Sequence, residues 1–140
     1  MLVLDTRNDY EVKIGTFAEA KDFNIRTFKQ FIAKVATLDP AYKKKPVVTF
    51  CTGGIRCEKA AEYMHQQGFE QVYQLEGGIL HYFEQCGGAH YQGDCFVFDK
   101  RVALDPSMHA TEAQVCYSCR MPLQPGEFDE IAGTIWVLCA

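Results

Sequence analysis

The sequence predicts an α/β fold with a largely parallel sheet in three layers, on three observations. Short apolar, strand-like runs alternate with helical patterns over residues 2 to 83. Glycine pairs stand just after two of those runs, at Gly53-Gly54 and Gly77-Gly78. A cysteine, Cys51, closes an apolar run, at the carboxyl end of a strand, where open α/β sheets bind ligands.

Leu2-Val3-Leu4 is the first strand, and Asp5-Thr6-Arg7 places two opposite charges at its carboxyl end. Phe28, Phe31, Ile32 and Val35 recur at the spacing of one helix face, and Leu38-Asp39-Pro40 ends that helix. Val47-Val48-Thr49-Phe50 is β-branched and apolar, a buried strand introduced by Pro46. Residues 57 to 67 read as a helix with Ala60, Ala61 and Met64 inward and Gly68 as its stop. Val72-Tyr73-Gln74-Leu75 is a further strand, and Ile79 to Phe83 a short apolar helix. Beyond Gly87-Gly88 the pattern weakens: "GDCFVFDKRVAL" suits a strand or hairpin, and "CYSCRMPLQPGEF" is turn-rich. The expected organisation is one α/β domain over residues 1–88 and a short cysteine-bearing extension over residues 89–140.

A composition 48% hydrophobic and 23% charged is that of a globular protein. The net charge of −4 gives no general attraction for nucleic acid or acidic membranes. Lys43-Lys44-Lys45 is the one basic run, and a solvated loop accounts for it. No apolar run approaches membrane-spanning length, and Met1-Leu2-Val3-Leu4-Asp5 lacks a signal-peptide pattern, so no membrane partner is expected. Seven irregularly spaced cysteines argue against a disulfide framework and for a reducing compartment, the cytoplasm by default.

The chemistry concentrates in Cys51-Thr52-Gly53-Gly54-Ile55-Arg56-Cys57. Gly53 and Gly54 let successive N–H groups converge on one point, and the following helix adds its positive end. Arg56 supplies a permanent cation. All of these favour an anion, and the nearest group able to become one is the Cys51 thiol, which is thus expected to be presented as a nucleophilic thiolate. The competing reading, a small buried core cysteine, does not explain the glycines or the arginine.

This loop resembles the active-site loop of the rhodanese superfamily, in which the cysteine carries a persulfide sulfur in a cradle of backbone amides. Protein tyrosine phosphatases are similar but have five residues between cysteine and arginine, where this chain has four. A shorter loop suits one sulfur atom better than a tetrahedral phosphate. Asp5-Thr6-Arg7, Glu11 with Ile14-Gly15, and "LEGGI" at 75 to 79 resemble other rhodanese landmarks in the same order. Cys57-Glu58, "YQLEGGILHYFEQ" and "GDCFVFDKRVAL" followed by Cys116-Tyr117-Ser118-Cys119 resemble one branch, the oxygen-dependent tRNA uridine-34 hydroxylases. The resemblance implies 5-hydroxyuridine formation at the wobble position, an essential Cys51, molecular oxygen as co-substrate, and tRNA as partner through the full-length protein. It also implies an N-terminal domain and an opening strand and helix ahead of Asp5-Thr6-Arg7, so the chain reads as a fragment or shortened frame. The tail "IAGTIWVLCA" does not match the family's second cysteine pair.

Asp5 and Arg7 either brace the loop, for instance by pairing with Arg56, or cap the strand end, and the resemblance favours bracing. Cys57 is either a resolving thiol for Cys51 or a packing residue. Cys116 and Cys119 have metal-ligand spacing that Cys95 or Cys139 could complete, but a lone pair favours free thiols or a redox pair, so no metal site is assigned and no resident cofactor is identified. His65, His81, His90 and His109 read as surface residues. Phe28, Phe31, Tyr63, Tyr82 and Phe83 fit core packing better than a base-stacking platform. The expectation is a cysteine-dependent tRNA hydroxylase domain. Thiosulfate or persulfide sulfurtransfer is the alternative enzyme, and an inert rhodanese-type binding module, which would usually lack the cysteine, is the alternative class.

Overall fold

Three parallel strands form the centre of the structure, a computed structural model that describes residues 1–99, 101–115, 121–124, 128–130 and 137–139. In chain order the elements are β1 Leu2–Asp5, α1 Asp9–Ile14, β2 Gly15–Phe17, α2 Phe28–Val35, β3 Val47–Phe50 and α3 Ile55–Gln66. There follow β4 Val72–Gln74, α4 Gly78–Cys86, β5 Tyr91–Gly93, β6 Cys95–Phe96 and β7 Ala103–Leu104. Short antiparallel pairs complete the description: β8 Gln114–Val115 with β9 Pro122–Leu123, and β10 Phe128–Glu130 with β11 Val137–Cys139.

The sheet order is β1-β3-β4, with Asp5 opposite Phe50 and Thr49 opposite Gln74. Side chains of a strand alternate between faces, so the two sides of this sheet build two cores. Leu2, Leu4 and Val47 pack with Phe31 and Val35 of α2 and Ala60 and Met64 of α3. On the other side Phe50 packs with Ile79 and Phe83 of α4, Tyr91 and Cys95, flanked by Val3, Phe17 and Leu75. Helices on both faces of a parallel sheet give the three layers that the sequence predicts. On that second side a cavity of about 460 Å³ opens among Val3, Val48, Phe50, Leu75 and Tyr82.

The long helices and central strands lie close to where periodicity puts them, with two differences: α3 opens at Ile55, two residues before the expected start, and α2 buries a narrower face. Phe31 and Val35 are buried, but Ile32 is exposed. Eight residues give barely two turns, and only one edge of so short a helix reaches the sheet. Between α2 and β3, Asp39 accepts a hydrogen bond from the Ala41 amide (2.9 Å) and opens a 3₁₀ turn over Pro40–Lys44. Two elements have no periodic signal, α1 and β2, and both matter below.

Past Gly88 the chain doubles back onto the first part. β5 pairs antiparallel with β2, Phe17 opposite Tyr91. β6 and β7 form a hairpin, Cys95 opposite Leu104. Phe96, Val102, Ala103 and Ala113 bury Ile14 at the end of α1. Cys116 and Cys119 lie outside the described residues.

Candidate active site

β3 delivers the chain to the site and α4 shapes it. The carbonyls of Cys51 and Thr52 accept hydrogen bonds from the amides of Ile79 (2.9 Å) and Leu80 (3.2 Å), in the first turn of α4. With its carbonyls held by α4, the loop can direct its following amides the other way, toward the Cys51 sulfur. The approach is close enough to demand glycine. At Gly78, φ is +68°, and a Cβ there would stand 2.5 Å from both carbonyl oxygens.

The Gly54 amide donates to Cys51 Sγ at 3.1 Å, and the amides of Arg56 and Cys57 converge on the same sulfur. Donation by the Cys57 thiol is the largest influence on Cys51 and lowers its pKa. Burial opposes it, the three amides reinforce it, and the balance holds Cys51 well below the ordinary thiol value, below neutrality. Cys57 moves the other way, because its proton is engaged with Cys51 and its surroundings are dry. Its sulfur also lies 3.8 Å from Thr6 Oγ1, under the sheet end.

The sulfur is not open to solvent as the sequence leads one to expect. Cys51 is 1% exposed, lying beneath its own loop. The donors that stabilise the anion are also its cover. Ile55, by contrast, projects outward at 79% exposure, and Gly53 faces open space.

Arg56 feels the Cys51 charge, as a counter-ion would, but its direct partner is another residue. Its guanidinium binds both oxygens of Glu11, Nη1 to Oε2 at 2.5 Å and Nη2 to Oε1 at 2.7 Å. Glu11 is buried and accepts a third hydrogen bond from the Asn8 amide (2.9 Å). Burial works against the Arg56 charge, and the Glu11 contacts outweigh it, so its pKa rises. The paired guanidinium therefore anchors the first turn of α3 to α1, and the sulfur is stabilised chiefly by backbone amides and the Cys57 thiol.

Nor do Asp5 and Arg7 reach Arg56. Asp5 accepts from Arg7 Nε (2.9 Å), Arg7 Nη2 (2.8 Å) and Thr16 Oγ1 (2.7 Å), and Arg7 Nη2 also donates to the Gly15 carbonyl (2.6 Å). Both are fully buried, so this pair ties the end of β1 to β2. It supports the site from below. The bracing contact with Arg56 belongs to Glu11, which the sequence marks only as a family landmark, because nothing in the spacing of a six-residue helix reveals its partner.

Thr52 links the loop to the C-terminal segment: its hydroxyl donates to the Phe96 carbonyl (3.4 Å) and lies 3.5 Å from Arg56 Nη2. One residue earlier, Cys95 is buried in the core, and burial pushes its thiol up to about 11. It is a packing residue. Among the described residues no group of three or more His, Cys, Asp or Glu side chains could hold a metal, and no helix is long and apolar enough to cross a membrane. The Cys139 side chain, like Cys116 and Cys119, lies outside what is described.

A parallel α/β sheet whose central strand ends in a thiolate held by loop amides defines a class of cysteine-centred anion-cradle domains. A family model for the rhodanese-like domain matches residues 1–85, and the chain belongs to that family. A rhodanese-like domain from Anabaena sp., solved by crystallography, shares the fold with a TM-score of 0.54 at 18% identity, over 66% of this chain and 98% of that one. Curated relatives named tRNA uridine(34) hydroxylase are 53% identical over 127 residues in Cupriavidus necator and 54% identical over 125 residues in Burkholderia vietnamiensis. The matches cover 91% and 89% of this chain but only 45% and 44% of those relatives, so the chain spans less than half their length.

Proposed function

We propose that this chain is the cysteine-bearing part of a tRNA uridine-34 5-hydroxylase, with Cys51 the residue on which turnover depends. The observation that carries this reading is Cys51 at the end of β3 with the Gly54 amide donating to its sulfur at 3.1 Å, where the Cys57 thiol and the amides of Cys57, Gly54 and Arg56 favour the thiolate. An ionised sulfur in a dry, donor-lined pocket is a strong nucleophile at neutral pH. The names of the similar proteins supply the substrate: uridine at position 34 of tRNA. Dioxygen is the co-substrate. One of its atoms goes to C5 of the base and the other leaves as water, which takes two electrons and two protons from a reductant. With a net charge of −4, this chain offers RNA little electrostatic attraction, and tRNA is held through the full-length protein. The cell's reducing cytoplasm, where tRNA resides, suits a free thiolate.

Deleting the encoding gene should lower the 5-hydroxyuridine-derived nucleosides of total tRNA, measured by mass spectrometry. The full-length gene should restore them, and the same gene with Cys51→Ala should not. Unchanged nucleosides after deletion, together with thiosulfate turnover by the purified protein with cyanide as acceptor, would replace this reading with sulfurtransfer.

A further inference from the structure

Among the described residues five large apolar side chains stand out in solvent, and two of them, Ile55 and Phe98, flank the Cys51 loop. Ile55 opens α3 directly after the loop. Phe98 comes from the distant hairpin between β6 and β7, and it is 66% exposed. A single exposed phenylalanine carries no meaning on a protein surface. This one is held by a closed hairpin and by contacts to Arg56 and Phe96 that tie it to the site.

Its ring lies 5.5 Å from the Arg56 guanidinium carbon and meets Phe96 edge to face at 4.8 Å. Phe96 in turn packs edge to face on Tyr10 of α1 (5.4 Å), and its carbonyl accepts from Thr52, the residue after Cys51. The hairpin is closed by the Val97 amide on the Val102 carbonyl (2.8 Å). It is stiffened at its tip by Asp99, whose carboxylate takes the Arg101 amide (2.9 Å) and Arg101 Nη2 (2.6 Å). The hairpin also carries strain: Val102, a β-branched residue, sits at φ +63°. The fold thus accepts an unfavourable backbone conformation in the hairpin that carries an exposed aromatic ring to the guanidinium beside the thiolate.

We propose that Phe98 is the stacking surface for the pyrimidine presented to the Cys51 loop. The base lies against the open part of the ring, Arg56 stands beside the same ring, and Ile55 borders the approach. This rests on the reading that the site acts on uridine in tRNA. Phe98 supplies no chemistry; it positions the base. Stacking of a base on an aromatic side chain changes affinity on the order of tenfold to a hundredfold when the ring is removed.

The test uses the full-length protein and an anticodon stem-loop RNA carrying either uridine or an abasic residue at position 34. Wild type should bind the uridine form more tightly, and Phe98→Ala should weaken that binding by on the order of tenfold or more. Binding of the abasic form should not change, so the two RNAs become equivalent for Phe98→Ala. Phe98→Trp should keep the preference, whereas Phe98→Leu, which is apolar but cannot stack, should lose it. The rate of Cys51 alkylation should be the same in all four proteins, showing that the thiolate cradle is intact. A uridine preference that survives in Phe98→Ala overturns the stacking role and leaves the hydroxylase reading standing. A wild type with no uridine preference also overturns it, and the nucleoside analysis of the deletion strain then decides the hydroxylase reading separately.

Discussion

A thiolate covered by its own loop gains charge stability and gives up access. At Cys51 three amides and one thiol point at the sulfur, and the same atoms leave the residue 1% exposed. Cys57 is the strongest of these influences, so its removal should move the titration upward. The ultraviolet absorbance of the thiolate, taken as the difference between wild type and Cys51→Ala, should show a midpoint below neutrality. In Cys57→Ala the corresponding midpoint should rise toward the ordinary thiol value of 9.0. A midpoint that stays put would assign the shift to the amides alone. The same ionisation links stability to pH. The folded value lies below the unfolded one, so the contribution is complete above the unfolded thiol pKa and is lost as pH falls through the folded pKa. The Arg56 charge and the Cys51 thiolate also favour one another, although the main partner of the guanidinium is Glu11, bound through both oxygens.

At the scale of elements, the site is a contact between two helix starts, α3 and α4, at the end of β3. The α4 amides of Ile79 and Leu80 hold the loop carbonyls, and Gly78 permits the approach. Gly78→Ala should therefore displace the loop, destabilise the fold by about 1–3 kcal/mol and raise the Cys51 midpoint. Gly53→Ala should leave the midpoint close to wild type, because a Cβ at Gly53 meets nothing within 4 Å. Equal effects of the two substitutions in the thiolate titration would refute the α4 clamp. The pattern of strands and helices that makes this contact is legible in the sequence: β-branched Val47-Val48-Thr49-Phe50, a helix over residues 57 to 67 that in the structure opens two residues earlier, the glycine pair before Ile79. The partners are less so. Glu11 sits in a helix of six residues, too short for hydrophobic periodicity, and its pairing with Arg56 spans 45 positions. Phe98 reads as one apolar residue of a stretch suited to a strand or hairpin, and only the folded structure shows it turned outward beside Arg56.

At the scale of the whole molecule, the residues after Gly88 complete the first part's cores. Tyr91 and Cys95 share a core with Phe50, Ile79 and Phe83, and Phe96, Val102 and Ala103 cover Ile14. β5 supplies the partner of β2, which carries Gly15 and Thr16, the two residues that bind the buried Arg7–Asp5 pair. Burying a large apolar side chain contributes about 1.5–3 kcal/mol, so losing Tyr91, Phe96 and Val102 alone removes on the order of 5 kcal/mol or more. That is comparable with the roughly 5–15 kcal/mol by which a typical domain is stable. The family match ends at residue 85, but the packing does not. Residues 1–88 expressed alone should therefore fail to unfold cooperatively in urea, bind a hydrophobic dye, and lose the low thiolate midpoint. The last effect follows because Thr52 is tied to the Phe96 carbonyl and the α4 side of the loop rests on Tyr91 and Cys95. If residues 1–88 instead unfold in a single transition at the midpoint of the full 140-residue chain, the C-terminal segment is a passenger and not part of the folding unit.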